Sequence, residues 1–431
     1  MAGGGDEGNA EGLVVCVTGA CGGVGSTICR LLGEQHTAKP VFEIRALDLV
    51  KPAGSNFTDL LANESKSTSR PVFKYIAGSV LDETLLRKAF AGCNVVIHAA
   101  SLIDYGTGDL SPTKLLQVNV EGMRCVIRAC RASGVSSLVY TSSTTAISHM
   151  GHNRNLKSDA PYPAAPQDYS GGLYAFSKAI AESLCVAADN SLCSVQTSSD
   201  TKDAAKQPQM LRTCALRLRN VYGEHDQVLV PQVVQAGLQG LMSFRIGMNE
   251  PQQDNMYIGN AAYGHLCAIN VLQSEDQNRI SKIAGRALNL SHEEPRSFYE
   301  AIAPFLEAFD IPVPTRRVPA WIMSVLAHIV VFLLSLIPRA LRPRNSFTPE
   351  SVLAIVDDMT FTDEEALHNL GFSPLFSIEE ANCRTIKWLK EEWSGRPTAA
   401  SPESTSNIPQ WALLGLLAGT LGILFFQVGL V

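Results

Sequence analysis

The chain has 431 residues, enough for two domains or one large domain with appendages, and a formal net charge of −6 from 35 Lys and Arg against 41 Asp and Glu. That balance, with no dense basic block, argues against a nucleic-acid partner. The 11 cysteines are scattered without a Cys-x-x-Cys pair or metal-ligand spacing, so buried thiols in a reducing compartment and no metal are expected.

Residues 1–11 are glycine-rich and acidic, with no apolar core of their own; they read as a disordered N-terminus without a secretory signal. The apolar run Leu13–Val17 then predicts a short buried strand. It breaks into Gly19, Gly22 and Gly25, after which Ile28, Leu31 and Leu32 return to helical period. Glycines between a strand and a helix allow a tight turn, close approach of a pyrophosphate, and close packing of helix on strand. The free N–H groups opening that helix suit phosphates. Phe42–Leu47 predicts the next strand, ending at Asp48. A carboxylate there accepts hydrogen bonds from an adenosine ribose and repels a 2′-phosphate, which favours NAD over NADP.

Downstream, Lys51–Ser69 is polar and reads as irregular. Strands are expected at Val72–Ile76, Val95–Ala100, Ser137–Thr141 and Thr213–Leu218, and helices at Glu83–Phe90, Lys114–Ala132 and Tyr174–Val186. Strands alternating with helices indicate a doubly wound parallel sheet of the α/β class. Asp189–Gln209, rich in Ser, Thr, Asp, Lys and Gln, reads as a flexible insertion before the last of these strands. Residues 12–227 are thus expected to form a Rossmann-type NAD-binding domain, and residues 228–393 a smaller substrate lobe.

Tyr174 and Lys178 are four apart on a predicted helix and project from one face. An ammonium about 4 Å from the phenol is worth roughly 4 kcal/mol at an effective dielectric near 20. That is enough to bring a phenol of pKa near 10 towards neutrality and make it a general base. Lys178 is also placed to hold the nicotinamide ribose. Ser143, in the hydroxyl cluster Thr141–Thr145, is expected to bind the substrate oxygen.

These motifs, Thr18-Gly19-x-x-Gly22-x-x-Gly25, Val96-Ile97-His98-Ala99-Ala100, Tyr140-Thr141-Ser142-Ser143 and Tyr174-x-x-Ser177-Lys178, together resemble the extended short-chain dehydrogenase/reductases. Val221-Tyr222-Gly223-Glu224, Met256-Tyr257-Ile258-Gly259-Asn260 and Leu370-Gly371-Phe372-Ser373-Pro374 resemble the 3β-hydroxysteroid dehydrogenase/isomerase branch, which includes sterol-4-carboxylate dehydrogenases. The resemblance implies NAD-dependent oxidation of a 3β-hydroxyl on a steroid or sterol, with Tyr174, Lys178 and Ser143 catalytic. Gly19, Gly22, Gly25, Asp48, Asp82 and Lys178 would bind the cofactor. It also implies a double-bond isomerisation, for which Asp104 and Tyr105 are placed. Three positions depart from the pattern. Ser79 stands where an aspartate is usual, Leu218 where a proline follows Arg217, and Glu365-Ala366 where Lys-Ala is usual. Two other functions stay open: a sugar-nucleotide epimerase or reductase gripping a diphosphate with Arg219 and Arg245, and a non-catalytic membrane-tethered NAD-binding protein.

Two apolar segments close the chain. Residues 408–431 carry no charge and are long enough to cross a bilayer, with Trp411 at one end and residues 394–407 as linker. Ala320–Ile337 has cationic residues on both sides (Arg316, Arg317, Arg339, Arg342, Arg344), which argues against a simple crossing. It reads as an interfacial or re-entrant helix beside the substrate entrance. The expected setting is a membrane, the endoplasmic reticulum or the mitochondrial outer membrane, with the catalytic domain cytosolic; a homodimer is left open.

Overall fold

The computed structural model describes residues 12–61, 71–104, 110–193, 209–226, 229–291, 293–337, 347–362 and 364–393. The expected N-terminal tail, the linker and the 408–431 anchor lie outside them, as do Tyr105 and most of the 189–209 insertion.

Seven strands form a parallel sheet: β1 (Leu13–Thr18), β2 (Val41–Asp48), β3 (Val72–Ala77), β4 (Val95–His98), β5 (Ser137–Ser143), β6 (Met210–Leu218) and β7 (Arg286–Asn289). Their order is β7-β6-β5-β4-β1-β2-β3, so the chain reverses direction between β1 and β4. That reversal opens a crevice at the strand C-termini, where ligands of such sheets bind. The central strands are almost continuously apolar because both faces are covered. On one face lie α1 (Gly23–Gly33) and α2 (Ser55–Leu61), with Ile28, Leu31, Leu32 and Phe57 in the core. On the other lie α3 (Glu83–Phe90), α4 (Pro112–Leu116), α5 (Gly122–Ala132) and α6 (Gly172–Ala187), burying Leu86, Phe90, Met123, Val126 and Cys185.

The sequence reading needs four corrections. The stretch after Asp48 is not wholly irregular, because Asn56 and Phe57 turn inward on α2 and are buried. The expected helix over Lys114–Ala132 starts earlier, where Ser111 caps α4, and is broken by a π-helical turn at Gln117–Glu121. Ser191–Leu192 pairs antiparallel with β6, which fixes one end of the expected loop. The boundary at 227/228 does not hold as a single cut. After α7 (Val230–Leu238) the chain returns to the sheet through α8 (Ile258–Leu272), which packs on α1, then α9 (Gln277–Ile283) and β7.

The smaller lobe is built from α7, α10 (Phe298–Glu307), α11 (Ala320–Ser335), α12 (Pro349–Val356) and α14 (Ile378–Glu391), with α13 (Glu364–Leu370) lying between the last two in the chain. Val230 and Val234 of α7 share a core with Ile302, Phe305 and Leu306 of α10 and Trp388 and Leu389 of α14. α13 departs from this lobe by packing on α8 and α9; there Ala366 is buried and Glu365 exposed, so the unusual Glu365 does not disturb the packing. A short four-stranded sheet (Arg296–Ser297, Gln252–Gln253, Met359–Phe361, Asn153–Leu156) closes the lobe against the sheet.

One buried ion pair ties the layers under the crevice. Arg217 Nη2 on β6 meets Glu182 Oε1 on α6 at 2.7 Å, with side chains 3% and 0% exposed. Ser142 Oγ and Tyr162 Oη donate to the same carboxylate at 2.6 and 2.8 Å, and Arg217 Nη1 donates to the Ser158 carbonyl. Replacing Glu182 by Ala strands a buried guanidinium, so chemical denaturation of Glu182→Ala is expected to show a loss of about 3–5 kcal/mol.

Candidate active site

A cavity of about 2510 Å³ runs along the C-terminal ends of β1, β4, β5 and β6 into the smaller lobe. That exceeds the roughly 300–1,000 Å³ of a pocket for one drug-sized ligand, so it has room for a dinucleotide and a substrate together. Among the described residues, no cluster of His, Cys, Asp and Glu could hold a metal.

At one end the β1–α1 turn forms a cradle. Gly19 has φ +70°, and a Cβ there would lie 2.5 Å from the Ala100 backbone nitrogen. A Cβ on Gly25 would lie 2.1 Å from the Gly19 carbonyl oxygen. Glycine is therefore needed for the turn and for seating α1 on it. Gly22 is the N-cap of α1, and Gly22, Gly23, Val24 and Gly25 all line the cavity with no acidic side chain in the first helical turn. Asp48, at the end of β2, lines the same end; its carboxylate accepts the Cys21 N–H at 2.9 Å and the Val50 N–H at 3.1 Å. The fit to a pyrophosphate and a ribose diol is therefore one of backbone donors at the turn and a fixed carboxylate beside it. Asp82 lies apart. It caps α3 by accepting the Leu85 N–H, and the wall at that level is Gly78, Ser79 and Val80. Ser79 Oγ accepts the Leu81 N–H, so the unusual serine shapes the turn after β3.

Further along, Ser143, Tyr174 and Lys178 line the cavity together. Ser143 ends β5, and its Oγ accepts hydrogen bonds from Thr145 Oγ1 (2.9 Å) and Thr145 N–H (3.3 Å). With both lone pairs engaged, its proton is available to donate towards a substrate oxygen. Ser142 points the other way, into Glu182. Tyr174 and Lys178 are both buried on α6. Lys178 Nζ donates to the Thr141 carbonyl at 2.7 Å and sits 4.6 Å from the centroid of the Tyr140 ring. Burial pulls the Lys178 ammonium down from the usual lysine range to about 7, against the Glu182 carboxylate one turn on, which favours the charged form. Leu218, in the position where a proline was expected, pairs with Ser143 across the sheet and lines the cavity.

Sequence reasoning missed two groups that hold this set. Glu182 is four residues beyond Lys178, a spacing that puts both on one face of α6 and could have revealed it. Asn119, in the π-helical turn, accepts the Leu102 N–H at 2.8 Å and donates to the Leu102 carbonyl and to Ser177 Oγ. Ser177 Oγ in turn donates to the Tyr174 carbonyl at 2.6 Å. The loop after β4 is thereby clamped to the turn of α6 that carries Tyr174. Of the two arginines considered for a diphosphate, Arg219 lines the cavity. Arg245 instead pairs with Glu250 and lies over the Tyr299 ring.

A doubly wound parallel sheet, a glycine cradle at its first turn and a Ser143–Tyr174–Lys178 set at the crevice define a Rossmann-fold oxidoreductase of the short-chain dehydrogenase/reductase type, with NAD as cofactor. The 3-beta hydroxysteroid dehydrogenase/isomerase family matches over residues 16–319, and the chain belongs to that family. Mouse 3 beta-hydroxysteroid dehydrogenase type 7 is 31% identical over 400 residues, covering 89% of this chain and 98% of that one. Mouse sterol-4-alpha-carboxylate 3-dehydrogenase, decarboxylating, is 26% identical over 317 residues, covering 74% and 80%. The solved structure of a double mutant of DesIV, a dTDP-glucose 4,6-dehydratase from Streptomyces venezuelae, with NAD and DAU bound, superposes with a TM-score of 0.62 at 17% identity, covering 88% of this chain and 97% of that one. That likeness is one of fold.

Two outcomes follow. Tyr174→Phe removes the phenol expected to take the substrate proton and leaves the cradle intact. The expected result is a fall in kcat of at least about a hundredfold with NAD affinity unchanged by titration calorimetry. The second concerns Lys178. Between about pH 7 and the ordinary lysine range, the unfolded chain holds a proton that the folded chain has released, so stability rises with pH across that window. Without cofactor, Lys178→Met is therefore expected to melt above the parent at pH 7, by the equivalent of a few kcal/mol. The gap should narrow as the pH approaches 10.

Proposed function

We propose that the chain oxidises the 3β-hydroxyl of a steroid or sterol. The observation that carries this reading is the wall of the cavity beyond Tyr174. It is built from Leu229 and Val233 of the α7 region, Phe298 of α10, Leu326 and Val330 of α11, and Leu353 of α12. A flat apolar ligand suits such a chamber, and its single hydroxyl would meet the only proton-transfer set at the chamber's inner end among the described residues. Tyr174 takes the hydroxyl proton, Ser143 donates a hydrogen bond to the same oxygen, and the Lys178 ammonium holds the phenolate charge. NAD, when bound, accepts the hydride that leaves the carbinol carbon. A double-bond shift afterwards needs a group that removes and returns a carbon-bound proton, and Asp104 in the cavity wall is placed for it.

A second reading is favoured by Arg219. It lines the cavity directly after Leu218, whose sheet partner is Ser143. A guanidinium there would compensate a carboxylate on the carbon next to the reacting one, as in a sterol-4-carboxylate. Oxidation would then give a β-keto acid, which loses carbon dioxide.

α11 supports a membrane setting. Met323, Leu326, Val330 and Leu334 face the cavity, whereas Trp321 (68% exposed), Val325, Ile329 and Phe332 (63%) face outward. The helix is 16 residues long; at 1.5 Å per residue that is about 24 Å, short of a bilayer core of about 30 Å. No helix among the described residues is long and apolar enough to cross a membrane. The outward apolar face and the cationic residues on both sides support a helix seated on a bilayer rather than crossing it. The uncharged run 408–431 adds a candidate anchor, with the endoplasmic reticulum as the expected membrane and the catalytic part on the cytosolic side.

The test is NADH formation by the detergent-solubilised full chain across lipid alcohols, 3β-hydroxysterols with and without a 4-carboxylate, and UDP-sugars. Turnover of 3β-hydroxysterols is expected. Carbon dioxide release from the carboxylated set, with Arg219→Leu losing that set about tenfold or more and sparing the others, would select the second reading. Turnover confined to UDP-sugars, or none at all, would overturn both.

A further inference from the structure

The catalytic lysine has been moved out of water onto very little polar support. Its ammonium donates to the Thr141 carbonyl. What lies beneath its Nζ is an aromatic face: Tyr140, on β5 and 2% exposed, with its centroid 4.6 Å away. The ring is braced in turn. His98, on β4 and fully buried, stacks with it at 5.6 Å and an interplanar angle of 24°. Thr18 on β1 pins His98 through Nδ1 at 2.7 Å. His98 Nε2 is buried and has no hydrogen-bond partner among the described residues. A histidine kept for its hydrogen bonds would use both nitrogens; this one offers mainly its ring.

We propose that Tyr140 is a positioning residue for the oxidation. Its ring face, braced by His98, holds Lys178 in place and keeps its amine protonated one helical turn from Tyr174. The ring quadrupole presents negative potential to a cation above it, and the effect is largest where the cation is desolvated. A leucine or valine would fill the same space and leave the ammonium with the carbonyl alone.

The other groups around the pair fit this role. Glu182, on α6, favours a charged lysine, while its own charge is balanced by Arg217 from β6. Burial first, and then the Tyr174, Glu182 and Cys185 side chains, keep the Tyr140 hydroxyl protonated, so the ring stays neutral. Burial and the Lys178 charge hold His98 down at about 3, so no imidazolium competes beneath the ring.

The inference rests on the hydroxyl-oxidation reading, and the test separates the two. Phenylalanine and its mono-, tri- and pentafluoro forms, introduced at position 140 by codon suppression in the full chain, keep shape while draining the ring face in steps. Phenylalanine itself is expected to stay within about twofold of the parent in kcat/KM. The fluorinated series is expected to decline progressively to about a tenfold loss. In parallel, the titration of Lys178, read by carbon-13 at its ε-carbon with NAD bound, should move to lower pH along the series. A flat series overturns the proposal. So does a loss of kcat/KM with the lysine titration unmoved, which would mark a packing effect. If no sterol is turned over, the lysine titration still reads the proposal alone.

Discussion

The proposed chemistry depends on keeping a cation charged although its side chain is buried. In the proposed oxidation Lys178 serves as an ammonium, since the charged form is the one that favours a Tyr174 phenolate. The same burial that strengthens its field also works to neutralise it. Much of the surrounding architecture answers that conflict. β5 supplies a carbonyl and an aromatic face from adjacent residues, Thr141 and Tyr140. α6 supplies a carboxylate one turn further on, itself restrained by Arg217, Ser142 and Tyr162. The alternating geometry of a strand makes this economical: Ser143, three residues beyond Tyr140 on the same strand, reaches the crevice while Tyr140 stays beneath the lysine.

How much of this was legible in the sequence follows from which forces are local. The glycine turn, Asp48 and the Tyr174–Lys178 spacing are local patterns, and the structure places them along one cavity. The simple estimate of a fully charged lysine acting on the phenol was incomplete, because spacing along a helix says nothing of desolvation. Glu182 and Arg217 come together only when β6 lies beside β5, so their pairing had no sequence signature beyond the four-residue step from Lys178. Asp82 illustrates the opposite case. The resemblance puts this acid among the cofactor contacts near the adenine, and here its carboxylate caps α3. The π-helical turn was invisible because its residues have ordinary helical propensities; the distortion accompanies a buried Asn119 clamped to another element.

The smaller lobe was read in outline only. Its apolar residues were evident, but short strands such as Gln252–Gln253 and Met359–Phe361 are too brief to show a period. α11 was recognised as unusual from its composition and from charges at both ends. It is a single helix with one side on the chamber and the other, also apolar, on the exterior.

The return of the chain to the sheet at β7, after it has already built α7, has a consequence for how the molecule is made. A ribosome that has released residues only as far as β6 has produced a dinucleotide-binding half lacking one edge strand and the helix that covers α1. The apolar sides of α1 and β6 stay uncovered until α8 and β7 emerge. Pairing of distant segments of this kind slows folding and lengthens exposure to aggregation. The coenzyme half of this chain is therefore not a separable module, and a truncation ending at the glycine-to-lysine motifs would yield an unfinished sheet rather than a smaller enzyme.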